Sequence, residues 1–194
     1  MQTAPDTTAV ATAHGRAIKR ANALTAILCG GLAALLLGIL FPAGFSRWLV
    51  GFVVGLLWAS LFEYAYHRWL LHLPGSFFGS RHLRHHATVG MAMEAEHVNL
   101  GGAPIWVVAM FAINGLPVIL LDLLFGLRTA PGIFVAFAVY FLVTEEFHWR
   151  IHLGGWLPPI VRGARAYHFA HHAHPGGRFN IFLPLWDWVF GTAR

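Results

Sequence analysis

Four long apolar stretches, at about residues 23–41, 48–66, 103–126 and 130–147, constrain this chain more than any single residue in it. Each has the roughly 20 residues that a helix needs to cross about 30 Å of hydrocarbon. A backbone inside lipid must satisfy its own polar groups, so each stretch is expected to be a helix. The composition agrees, with 57% hydrophobic and 11% charged residues against about 25% charged in an ordinary soluble domain. The expected fold is an all-α integral membrane protein with four transmembrane helices. The linkers at 41–47 and 126–132 are short enough to be turns, which predicts two hairpins and a histidine-rich helical cap on the cytoplasmic side. Residues 1–22 are expected to be a flexible N-terminal segment, and 23–194 the membrane domain.

The first window is too long for the core of a signal peptide and follows a polar stretch of about 22 residues, so it is expected to stay in the mature protein. Cys29 is the single cysteine, which excludes paired-thiol redox chemistry and an intrachain disulfide. The net charge of +5 forms no dense basic run and does not call for nucleic acid. It follows the ends of the spans instead. With a cytoplasmic N-terminus, Arg16, Lys19, Arg20, Arg68, Arg81, Arg84, Arg150, Arg162, Arg165, Arg178 and Arg194 lie inside, and Arg47 and Arg128 outside. That distribution satisfies the positive-inside rule and puts both termini in the cytoplasm. Within the spans, Gly51 and Gly55 have a spacing that suits close helix packing, and Pro117 interrupts the third window.

Polarity returns after the second and fourth windows, and almost all the histidine returns with it. Ten of the thirteen histidines fall in four clusters: His67 and His72; His82, His85 and His86; His148 and His152; His168, His171 and His172. The order pair, triplet, pair, triplet is a repeat, each half following an apolar hairpin. Residues three and four apart share a helix face, so each triplet converges, as does the pair His148 and His152. His67 and His72 stand about 140° apart on an α-helix, so the helix there must bend, end or straddle two centres, with Pro74 marking its end. The segment LPPIVRGARAYHFAHHAHP is expected to be a helix opened by Pro158 and Pro159 and stopped at Pro175. All four clusters follow spans running in the same direction, so the ten rings are expected at one membrane face. Imidazole suits iron, zinc, copper and nickel, and ten rings exceed the needs of one ion, which points to two metals.

Glu63 precedes His67 by four residues, and Glu145 and Glu146 precede His148 at a depth where an unpaired charge is costly. These carboxylates are candidates to accept the second N–H of a ligating ring. His174 is a further candidate for such a supporting place, while His14 and His97 lie outside the clusters. The chain has no nucleophile elbow, no H-E-x-x-H and no glycine-rich phosphate loop, so hydrolysis and phosphoryl transfer lack their parts.

The series EYAYHRWLLH, HLRHH, HWRIH and YHFAHH, closing with NIFLPLWDWVFGT, resembles the fatty acid hydroxylase and sterol desaturase superfamily over about residues 48–194. The opening EYAYHRWLLHLP looks most like the fatty acid 2-hydroxylases. The resemblance implies a membrane di-iron oxidoreductase, a monooxygenase that uses dioxygen to attack an unactivated C–H bond of a lipid chain. The ten clustered histidines would be its ligands, two iron ions its cofactors, with zinc an occupant on purification, and Asp187 in the closing segment a further supporting residue. The loop between His72 and His82 is short, nearer to carotenoid hydroxylases, and the 194 residues hold no haem domain. Electrons would come from a separate ferredoxin or small cytochrome with its reductase. The readings left open are a lipid acyl hydroxylase first, then a carotenoid ring hydroxylase or a sterol-type desaturase with the same metal centre. Outside enzymes stands a metal-binding or metal-transport protein, disfavoured because transport sites lie near the midplane.

Overall fold

A computed structural model describes residues 6–100 and 102–194. The described residues contain helices and no β-strand, and four helices are long and apolar enough to cross a membrane. These are α1 (Thr7–Leu40), α2 (Phe45–Ala65, continued by a π-helical turn Tyr66–Leu71), α5 (Pro104–Phe125) and α6 (Ala130–Leu153). Short helices α3 (Phe77–Ala87) and α4 (Glu94–His97) follow α2, while α7 (Ala164–Ala173) and α8 (Leu185–Val189) follow α6.

The chain divides into two compact units. One comprises residues 20–59 and 102–143 and is the apolar one. Its core is Ala26, Val107, Phe111, Ile133, Phe134, Phe137 and Ala138. Helix α6 is the most enclosed span, with 61% of its most apolar stretch buried against 11% for α1. Leu24, Leu28, Leu32, Leu35 and Ile39 of α1 and Leu116, Leu120 and Leu124 of α5 point outward, as a lipid-facing surface requires. Lipid offers no hydrophobic gain for joining such helices, so close backbone approach has to do it. Gly51 and Gly55 serve that purpose: a Cβ on Gly51 would lie 2.1 Å from the Thr129 carbonyl oxygen, and one on Gly55 2.7 Å from the Ala136 Cβ. Gly132 reciprocates against the Trp48 carbonyl. Asp122, buried at the end of α5, accepts from the backbone N–H groups of Thr129 and Ala130 and so caps the start of α6.

The second unit comprises the described residues up to 19, with 60–100 and 144–194. The expectation of a flexible segment up to residue 22 meets a correction over the described part. Helix α1 begins at Thr7, its first turn capped by Asp6 Oδ1 accepting from the Thr8 N–H at 2.9 Å. Residues 1–5 lie outside the described residues. The early helix persists because it packs: Ala11 is buried, and a Cβ on Gly15 would come within 2.1 Å of the Ala95 carbonyl oxygen. Asn99 Nδ2 donates to the Gly15 carbonyl, and Lys19 pairs with Glu146 while lying over the Trp149 ring. A second correction concerns α7, which starts at Ala164. Pro158 and Pro159 open only a single 3₁₀ turn, Pro159–Val161, before Gly163, and the helix ends at Ala173, two residues before Pro175.

Candidate metal centre

All ten clustered histidines belong to the second unit, and they come together. His67, His72, His82, His86 and His171 offer ring nitrogens within 4.8 Å of one another, and so do His85, His148, His152 and His168. His172 adjoins the second group, its Nε2 3.0 Å from that of His168.

The π-helical turn explains the spacing that an α-helix could not. Hydrogen bonds from i to i+5 bring residues five apart onto one face. His67 and His72 therefore lie with ring centroids 5.2 Å apart, near-parallel, in the same group. Helices α3 and α7 present their triplets as spacing predicts. The first histidine of each triplet is a hub. His82 Nε2 lies 3.0, 3.2 and 2.9 Å from the Nε2 atoms of His67, His72 and His86. His168 Nε2 lies 3.0 Å from those of His148, His152 and His172. The last histidines, His86 and His172, stack at 4.1 Å, so the two groups adjoin. The middle histidines cross over: His171 joins the rings of the first half, and His85 those of the second.

The outer nitrogens fix the protonation of the inner ones. His67 Nδ1 is bonded to the Phe179 carbonyl oxygen, and His171 Nδ1 to that of Gly177 at 2.7 Å. His152 Nδ1 faces Glu94 Oε1 at 2.8 Å. Carbonyl and carboxylate oxygens accept, so each Nδ1 carries a proton, the tautomer in which a neutral ring turns an Nε2 lone pair inward. Burial, followed by the neighbouring imidazoles, holds His82, His85 and His168 well below the usual histidine range. The same two causes bring His72 to about 4 and His86 to about 3. Burial also lowers His171, against the opposing pull of the Gly177 carbonyl and Asp187. Three ring nitrogens around one hub nitrogen cannot all be paired by it, since a neutral hub Nε2 offers either one N–H or one lone pair. His85 adds two buried ring nitrogens with no hydrogen-bond partner among the described residues. A polar cluster in this condition is costly without an electron-pair acceptor, and an all-imidazole donor set fits a borderline metal ion.

The expected supporting carboxylates are placed as follows. Glu63 accepts from the Ile181 N–H at 2.6 Å and from the Asn180 amide, tying the C-terminal segment to α2. Asp187, fully buried, accepts from the N–H groups of Phe179 and Asn180 and from the Thr192 hydroxyl. That segment carries the carbonyls holding His67 and His171, so Asp187 acts on the rings through the backbone. Glu145 is buried in α6, and Glu146 pairs with Lys19 and Arg150. His174 is exposed, and its backbone N–H closes α7 on the carbonyls of Ala170 and His171. His14 lies on the surface, 3.7 Å from Glu96.

Sequence reasoning missed Glu94 and the two carbonyls. Glu94 stands in GMAMEAEHV, where only the turn at Gly90 separates its role from that of Glu96. Gly90 adopts φ of 75° and donates its N–H to Glu94 Oε2 at 2.8 Å, while Oε1 faces His152.

A family model for fatty acid hydroxylases matches residues 52–192, which hold both histidine groups and the closing segment. The chain belongs to the fatty acid hydroxylase family. No curated protein matches this family member significantly. Among solved structures it is similar to full-length Scs7p, in which only the hydroxylase domain is visible, with a TM-score of 0.61 and 26% identity. The similarity covers 86% of this fatty acid hydroxylase family chain and 61% of the Scs7p chain.

Proposed function

We propose that the protein is a di-iron, dioxygen-dependent hydroxylase acting on the fatty acyl chain of a membrane lipid. The observation that carries this reading is the set of inward-facing Nε2 lone pairs on His67, His152 and His171, which call for a metal in each ring group. Family membership and the likeness to the Scs7p hydroxylase domain support the reaction class. His67, His72, His82, His86 and His171 would hold one ion, and His85, His148, His152 and His168 the other, with His172 beside both. Iron bound there would supply redox chemistry: a C–H bond would become C–OH, and the second oxygen atom of dioxygen would leave as water with two electrons and two protons from the external donor.

The chain's own part is to prepare the donors. The Phe179 and Gly177 carbonyls and the Glu94 carboxylate hold protons on the outer ring nitrogens, which keeps the inner ones free. With one cysteine, these 194 residues cannot build a cysteine-ligated cluster of their own. A ferredoxin or small cytochrome with its reductase is the electron donor in this reading. Both termini and all ten rings lie on the cytoplasmic side, a topology supported by the eleven basic residues on that side against two on the other.

The test is expression in a host lacking the protein, followed by mass spectrometry of extracted lipids. A gain of one oxygen on acyl chains, absent with His171→Ala, is expected. Loss of two hydrogens would make it a desaturase, oxygen on pigments alone a carotenoid hydroxylase, and no change in either would reject an oxidative function.

A further inference from the structure

The two ring groups match in their inner nitrogens and differ in what holds their outer ones. Neutral backbone carbonyls hold His67 and His171. A carboxylate holds His152. In the repeat, His72 occupies the place of His152, and no carboxylate partner for His72 is found among the described residues.

Glu94 is built for this position. Its side chain is 10% exposed and that of His152 is fully buried, so water does little to weaken their contact. One carboxylate oxygen faces His152 Nδ1 and the other accepts the Gly90 N–H, both at 2.8 Å, so the group cannot swing away without leaving a buried donor unpaired. Its own helix is anchored from behind. Ala95 and Val98 pack with Trp149, and Gly15 lets α1 lie directly on the Ala95 carbonyl. Among the described residues, no such carboxylate stands behind the first ring group, whose supports come from the segment folded over Asp187.

We infer that Glu94 is a positioning residue that controls one of the two metal positions and not the other, by fixing the tautomer of His152 and strengthening it as a ligand. An anionic acceptor draws the Nδ1 proton outward and raises electron density at Nε2 more than a neutral carbonyl does. The inference rests on the metal-centre reading of the preceding section. It gives the two positions separate supports: Glu94 for His85, His148, His152 and His168, and the Asp187-folded carbonyls for the rest.

The test uses the full chain in detergent, loaded with Co(II) and challenged with a chelator, with bound cobalt and its visible absorption followed together. Glu94→Gln keeps the size of the side chain and removes its charge. The variant is expected to retain one of two ions about 10- to 100-fold less well. The absorption of that ion should change, and the other ion should behave as in the parent. The weakened ion is identified by His152→Ala, to which Glu94→Gln should add nothing, and contrasted with His67→Ala, to which it should add fully. If the parent binds two ions and Glu94→Gln releases both like the parent, or weakens both equally, the inference is wrong while the metal centre stands. A folded parent that binds no cobalt would overturn the metal centre and this inference with it.

Discussion

His85 and His171, the middle histidines of the two triplets, have exchanged partners. His85 lies among His148, His152 and His168, with ring centroids 4.9 and 4.6 Å from the first two, while His171 lies 4.5 Å from His67 and 5.0 Å from His72. Each half of the repeat therefore completes the other's ring group.

Exchange makes the halves interdependent. His85→Ala and His171→Ala should each lose lipid oxidation to about 1% of parent or less, since losing even a supporting residue in a metal site typically costs about 10- to 100-fold. His14→Ala, on an exposed side chain, should leave the rate unchanged. Product per folded protein is the measurement. About half the parental rate in either triplet variant would indicate two independent sites.

Asp187→Ala should destabilise the protein and loosen the first ring group. The fully buried carboxylate accepts from two backbone N–H groups and one hydroxyl. Each buried donor left unpaired costs about 1–3 kcal/mol, so a total of roughly 3 kcal/mol or more is expected in a thermal unfolding series. Wild-type stability would mean that the closing segment does not depend on Asp187.

Much of this architecture is legible in the residues, and the limits have physical causes. The apolar windows and triplet spacings are local properties, so the spans and the faces of α3 and α7 can be read directly. The π-turn at His67 is legible only as a conflict, because five-residue spacing fits no α-helical face. The crossing of His85 and His171 depends on how α3 meets α7, which spacing does not encode. Glu94 is hidden for a related reason: its reach to His152 spans 58 residues and hangs on the backbone turn at Gly90. Helix α1 begins well before its apolar window because tertiary contacts at Gly15 and Lys19 extend it through polar residues.

Gly55→Val should cost about 1–3 kcal/mol by overpacking. The added Cβ would meet the Ala136 Cβ at 2.7 Å and the Ile133 Cα at 2.8 Å, and backbone cannot move aside cheaply. Gly38, which has nothing within 4 Å of the same position, provides the control. Thermal unfolding in detergent should separate Gly55→Val from Gly38→Ala. Equal melting would dissolve the case for close packing at Gly55.

The metal-free protein should lose stability in mild acid. Burial and neighbouring rings lower the folded values of His72 to about 4 and His86 to about 3, from an ordinary value of about 6.5. The unfolded chain binds more protons between those limits, so this stability is fully present above about pH 6.5 and falls as pH drops toward the folded values. Unfolding of chelator-treated protein should thus occur at lower temperature near pH 5 than near pH 7.5. A flat or opposite trend would show that the rings are not held neutral.

Counting metal in the folded chain tests the centre most directly. Protein purified from cells grown with iron, verified as helical and monodisperse, should carry two metal ions per chain by elemental analysis, iron or zinc. His82→Ala and His168→Ala, which remove the two hub rings, should each bring the count to about one. A parental count near one, or near zero in protein that remains folded, would contradict the account.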